Sequence, residues 1–262
     1  MLNRSLVAFL AAFLIVGGCS NGGSSQTTAS PSASPTDSAA APSATATATA
    51  TATPGDRFTD IAGNFAENAI NQEAAAGVFG TASGAFHPDG TITRAQYLAW
   101  LVTANNLYFS NAPGSQIRPA GASADQTFVD VPKSYPFFSQ IEGMADAGYV
   151  IGIDKTHFAP DRPLTREELL AIQVSRYSNG AKLDPITSAQ GMYCVHLADA
   201  AAISKPYWPA FNHDQCTGFN GQDDLHRIFG SVKTLHPQRP ATRAEVAIAL
   251  QRIAGTAPPT PH

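Results

Sequence analysis

Three arginines stand at the same place in three copies of one phrase. Each copy runs bulky apolar residue, any residue, Pro, four residues, then Thr-Arg. The copies are Phe86-His87-Pro88 to Thr93-Arg94, Phe158-Ala159-Pro160 to Thr165-Arg166, and Leu235-His236-Pro237 to Thr242-Arg243. A guanidinium is a planar fork of donors, suited to bidentate recognition of a carboxylate or phosphate. Gln96, Glu168 and Glu245 follow the three threonines at the spacing of a capping box, which puts each Arg at the first helical position. The helix dipole disfavours a cation there by roughly 0.3–1 kcal/mol. Three such placements imply compensation. One reading is an internal ion pair, with the cap acid or with a nearby Asp. The other is a groove in which Arg binds an anionic ligand. The two are compatible.

Other chemistry is sparse. Asp60, Asp130 and Asp199 each close an apolar-x-Asp opening: Phe58-Thr59-Asp60, Phe128-Val129-Asp130 and Leu197-Ala198-Asp199. His87 and His236 occupy matching places, but on separate copies, so convergence on a metal is not expected. Cys194 and His196 lie two apart, which is not a nucleophile–base arrangement. Asp223-Asp224 reads as a solvated loop. No HExxH, Walker loop, Gly-x-Ser-x-Gly or GxGxxG occurs. Nothing calls for a cofactor, and the chain reads as non-enzymatic.

The elements that position these residues repeat with them. After each Asp comes a stretch of helical periodicity: Phe65, Ala66, Ala69, Ile70 and Ala74 in the first copy, then Phe137, Phe138, Ile141 and Ala145. Pro206 to Phe211 is the counterpart in the third. Gly77 and Gly148 are placed to end the first two helices. An apolar-Gly turn follows, Val78-Phe79-Gly80, Val150-Ile151-Gly152 and Ile228-Phe229-Gly230. The second helices carry apolar stripes: Tyr97, Leu98, Leu101 and Val102; Leu169, Leu170, Ile172 and Val174; Val246, Ala249, Leu250 and Ile253. The fold class is mainly α, three helix-turn-helix units packed round a shared core. The joins Ser110 to Gln126 and Ser178 to Met192 read as surface loops.

Of 262 residues, about 200 belong to this region. Residues 1–18 read as a secretory signal, with Arg4 ahead of the apolar run Leu6 to Val16. Residues 19–55 are a Ser, Thr, Ala and Pro linker that cannot bury a core. It reaches roughly 35 Å if flexible and on the order of 100 Å if extended. Residues 256–262 read as a loose tail. The net charge is −4, without a basic run, so nucleic acid is not an expected partner. In an exported chain Cys194 and Cys216 are either bridged or two free thiols.

Two resemblances follow from these residues. Val16-Gly17-Gly18-Cys19 resembles a bacterial lipobox, which implies cleavage before Cys19, lipid on it and anchoring to a membrane. The repeated phrases resemble the S-layer homology family, over residues 56–109, 126–178 and 193–255. The third repeat is divergent: Leu replaces both Phe residues and a segment is inserted around Asn212 to Asp224. The resemblance implies a three-fold trefoil with grooves between repeats that bind cell-wall polysaccharide, often pyruvylated, or a peptidoglycan-linked polymer. Carried over by position, it implies ligand-binding roles for Arg94, Arg166 and Arg243, positioned by Asp60, Asp130 and Asp199. Gly80 and Gly152 would admit ligand to backbone amides. Phe65, Phe137 and Trp208 fall where a ring either faces sugar or packs in the core, and Trp208 is taken as the sugar face. The implied function is a lipid-anchored, non-catalytic envelope protein. The alternatives are an envelope assembly module, or a lipoprotein enzyme or solute receptor.

Overall fold

The computed structural model describes residues 57–177, 183–217 and 223–254. The leader, Cys19, the linker and the tail lie outside the described residues. The helices are α1 (Glu67–Ala76), α2 (Arg94–Tyr108), α3 (Phe138–Asp146), α4 (Arg166–Tyr177), α5 (Trp208–Thr217), α6 (Asp224–Phe229) and α7 (Arg243–Ala254). The long helices fall into three pairs, α1–α2, α3–α4 and α5–α7. Helix α6 is an addition within the third. Among the described residues no helix is long and apolar enough to cross a membrane.

The ring closes through helix N-termini. The first amides of an α-helix have no partner within it. Here the amides of Arg94 and Ala95 donate to the carbonyls of Arg162 and Pro160 in the second unit, both at 3.0 Å. Those of Arg166 and Glu167 donate to Arg239 and Pro237 in the third, at 3.0 and 3.1 Å. Those of Arg243 and Ala244 donate to Gly90 and Pro88 in the first, at 2.8 and 2.9 Å. Each unit thus caps its predecessor. Short bridges pair Thr93 with Pro163, Thr165 with Pro240 and Thr91 with Thr242 in the same cyclic order.

Packing follows that cycle. Each unit's first helix lies against the preceding unit's second helix: α3 on α2, α5 on α4 and α1 on α7. Helix α7 also packs on α2 and α4. The main core holds the expected stripes Tyr97, Leu98 and Leu101, Leu169 and Ile172, and Val246, Ala249 and Leu250. A second cluster joins Leu170 and Val174 of α4 to Trp208, Phe211 and Leu225 of the third unit. Gly77 ends α1 in the left-handed region at φ 88°, as its position implies. Gly148, at φ 73°, follows α3 by two residues.

The insertion differs from the sequence reading. Asp223 and Asp224 do not form a solvated loop. Asp223 caps α6 by accepting from the His226 amide at 2.7 Å. Asp224 is buried and pairs with Arg227 at 2.6 Å. Cys194 and Cys216 are bridged, with Cα atoms 5.2 Å apart. The bridge ties the inserted region together and contributes on the order of 3 kcal/mol by loop closure. The join from Ser110 is not a bare loop: Ile117 is buried, and its amide donates to Asn106 Oδ1 at 2.8 Å.

Glu73 is the misfit of the first unit. It sits on the buried face of α1 with Ala69, Ile70 and Ala74, only 1 % exposed, and its Oε1 has no partner. Burial pushes its carboxyl up to about 7 from 4.5. The native state therefore holds a proton that the unfolded chain releases above pH 4.5, and stability falls as pH rises from there to about 7. Glu73→Gln should match the wild type at pH 4 and exceed it by up to about 3 kcal/mol at pH 8. Urea unfolding of both proteins across that range checks this, and equal stability at pH 8 would contradict it.

Candidate functional site

The sequence-derived site residues gather at the three joints of the ring. The backbone there is unusual. The middle residue of each apolar-x-Pro phrase has positive φ: His87 at 57°, Ala159 at 57° and His236 at 56°. Non-glycine residues avoid that region, and holding one there costs on the order of 1–3 kcal/mol. The repeated Asp compensates by a two-oxygen clamp. Asp60 accepts the amides of Phe86 and His87 at 2.7 and 2.8 Å. Asp130 takes Phe158 and Ala159 at 2.9 and 2.7 Å, and Asp199 takes Leu235 and His236 at 3.0 and 2.7 Å. Burial opposes the charge on Asp60, yet the two amides hold its carboxyl below the usual range. None of the three Asp residues makes an ion pair with a repeated Arg. They fix the turn whose carbonyl receives the Arg.

At the first joint Arg94 is 1 % exposed. Its Nε donates to the Phe158 carbonyl at 2.9 Å and its Nη2 to Ile151 at 3.1 Å. Its Nη1 lies 2.9 Å from Glu168, and the guanidinium stacks 4.4 Å over Phe158. Arg162 also pairs with Glu168. At the second joint Arg166 bonds Glu245 through Nε, at 3.1 Å, and through Nη2. It donates to the Leu235 carbonyl at 2.7 Å and lies over Phe229. The internal reading is therefore realised for both, with the cap acid of the next unit. Each acid serves twice: Glu168 accepts the Thr165 amide at 3.0 Å and Glu245 the Thr242 amide at 2.9 Å.

The third joint breaks the pattern. Arg243 donates to the Phe86 carbonyl at 2.6 Å and stacks on Phe86 and Trp100 at 4.6 and 4.8 Å. The place of the cap acid is taken by Gln96, and Gly90 stands where the other units have Arg162 and Arg239. Among the described residues Arg243 has no carboxylate in ion-pair range. Burial draws its pKa down, and the field of Asp60 partly restores it. The cap is altered too: Thr93 accepts the Gln96 amide at 3.1 Å, without the reciprocal side-chain bond seen in the other units.

Two joints open into cavities. One of about 330 Å³ is lined by Arg94, Glu168, Tyr149, Ile151 and Tyr207. The other, about 510 Å³, is lined by Arg166, Glu245, Arg227, Arg239, Asp89 and Phe65. Phe65 is 66 % exposed there. Arg227 is engaged by Asp224 and α7 carbonyls. Arg239 is exposed, and its guanidinium has no partner among the described residues.

Two expected site residues are placed otherwise. Trp208 is not a sugar face: it is 6 % exposed, lies in the second core cluster, and donates its indole N–H to the Ile203 carbonyl at 2.8 Å. Gly152 does not face a groove. A Cβ on it would lie 2.3 Å from the His157 carbonyl and 2.8 Å from the Phe128 ring, so the chain's own close approach requires glycine. Gly80 is exposed at φ 62° and its carbonyl accepts from Arg57 at 2.6 Å. Arg239 was not apparent in the sequence, because its place holds Gly90, Arg162 and Arg239 in turn and shows no repeat.

The chain is similar in sequence to known proteins. The sequence pattern of the S-layer homology domain matches residues 57–98 and 127–170. The surface-layer 125 kDa protein of Lysinibacillus sphaericus is 28 % identical over 205 residues, covering 78 % of this chain. The chain spans 15 % of that relative's length.

The joints differ in what their arginines support. Removing Arg166 leaves the buried Glu245 without its cation, so Arg166→Ala should lower stability by about 3–5 kcal/mol, whereas after Arg94→Ala Glu168 keeps Arg162 and the loss should be smaller. Arg243→Ala leaves no acid stranded and should lower it by about 1–2 kcal/mol. Urea unfolding of the three variants measures this, and equal losses would contradict the distinction.

Proposed function

We propose that the chain is a non-catalytic anchoring module of the bacterial envelope, binding an anionic wall polysaccharide in the joint grooves. The carrying observation is the second joint's cavity, where an exposed Phe65 ring and an unpaired Arg239 share one wall set. A ring offers an apolar face to a pyranose, and a free guanidinium offers a fork to a carboxylate. A pyruvyl ketal on the sugar would supply that carboxylate. Arg243 at the third joint is the second candidate contact, because no internal acid competes for it. Arg94 and Arg166 act through the fold that shapes the grooves.

The matches to the S-layer homology domain and to a surface-layer protein support an envelope location. In this reading Cys19 carries the lipid, residues 19–55 span outward, and the three repeats occupy 56–109, 126–178 and 193–255. The chain's net charge of −4 opposes an acidic polymer at long range, but salt screens that repulsion within about 10 Å and leaves local arginines to act. Assembly with another envelope protein is the second reading. It is favoured by the exposed Val129, Ile151 and Ile153 of the second unit.

Co-sedimentation with purified wall sacculi tests the first reading. The wild type should sediment, and the double variant Phe65→Ala, Arg239→Ala should bind about tenfold more weakly while unfolding at the wild-type urea concentration. Stripping pyruvyl groups from the sacculi should have a similar effect. Undiminished sedimentation of the variant would remove the second joint from the account.

A further inference from the structure

The segment leading into the third unit and helix α5 build a cleft away from the joints. It has a volume of about 370 Å³, and its walls come from residues 183–193 and from α5. Its most exposed part is Tyr193, with 72 % of its surface open. A single exposed ring needs no explanation by itself. This one is held on both sides. Met192 before it is buried, and Cys194 after it is bridged to Cys216 and donates its amide to Asn212 Oδ1 at 3.1 Å. The same segment packs closely on itself: a Cβ on Gly191 would meet the Ile186 side chain at 2.7 Å.

The lining matches one class of ligand. Tyr193 presents a ring face, while Leu183, Ile186 and Pro209 provide apolar surface. Asp184, Asn212 and His213 provide hydrogen-bonding groups on the same walls. An apolar cleft with a few polar groups, of several hundred Å³, is the usual form of a small-molecule site. A pyranose has the matching character, with an apolar face and a rim of hydroxyls. The apolar wall suits a methyl group, as on an N-acetyl substituent. Among the described residues of the lining no Lys or Arg occurs, and the Asp184 carboxylate disfavours an anion. The ligand therefore differs in charge from the one proposed for the joints.

We infer that this cleft is a second saccharide site, taking an uncharged N-acetylated sugar against Tyr193, with Asp184, Asn212 and His213 bonding its hydroxyls. The site is independent of the joint grooves and does not rest on their reading. It gives the chain contact with a neutral stretch of glycan.

The test is calorimetric titration of the full chain with chitotetraose, a neutral oligomer of N-acetylglucosamine. Saturable binding at millimolar sugar is expected. Tyr193→Ala should weaken it about tenfold, while Tyr193→Phe retains it. His213→Ala should weaken it too. Both residues are exposed, so these variants keep the wild-type fold, which urea unfolding verifies. Phe65→Ala with Arg239→Ala should leave chitotetraose binding unchanged, which separates this site from the joint groove. Absence of saturable binding would overturn the inference. So would a Tyr193→Ala protein that binds like the wild type, or loss of binding in the joint variant.

Discussion

The ring depends on the unpaired amides at the start of α2, α4 and α7. Each second helix begins against the next unit, and its first two N–H groups find carbonyls there. The amides must be satisfied somewhere once water is excluded, so no unit can be removed without stranding its neighbour's donors. That constraint explains the buried Pro88, Pro160 and Pro237, whose carbonyls accept these bonds. It also explains the strained residue before each Pro, which the Asp clamp holds in place. The chain invests backbone strain at three matching points to point carbonyls across three joints.

The arginines follow from the same geometry. A cation at a helix start is unfavourable alone. Here it reaches across the joint to an aromatic platform, a turn carbonyl and, twice, a cap acid. Arg94 and Arg166 are thereby consumed by the fold. Their burial and exchange of charge with Glu168 and Glu245 leave little for a ligand. In the first unit, Gln96 replaces the acid and Gly90 replaces the second Arg. The joint facing it keeps one positive charge but loses the internal competitor. The divergent third repeat thus supplies the repeated Arg left without an acid.

Much of the fold was legible in the sequence. The Thr-Arg phrases gave the second helices, the caps and the three-unit plan, because caps and stripes are local patterns. The Cys194–Cys216 pairing was legible as one of two alternatives. The partner of Arg94 and Arg166 was legible only as one alternative, a cap acid or a nearby Asp, without the unit that supplies it. Glu168 and Glu245 read as acids of their own helix caps, and only the closed ring shows that they also face the preceding unit. Trp208 and Gly152 misled for a related reason: residue type alone does not tell an outward ring from a packed one, or a glycine kept for ligand from one kept for the chain. Arg239 carries no repeated signal, so only the cavity reveals it. Helix α6 starts where the insertion ends and runs into the matched turn at Ile228-Phe229, and the buried Asp224 pairs with Arg227, a contact that no repeat announces.

The most direct test of the ring is native-state hydrogen exchange at Ala95, Glu167 and Ala244. These amides sit in the first turn of their helices, where exchange is ordinarily fast because the donors face water. Closure by the neighbouring unit predicts that all three exchange only with global unfolding, as slowly as Leu98, Leu170 and Leu250. Rapid exchange at these positions beside protected helix interiors would contradict the account.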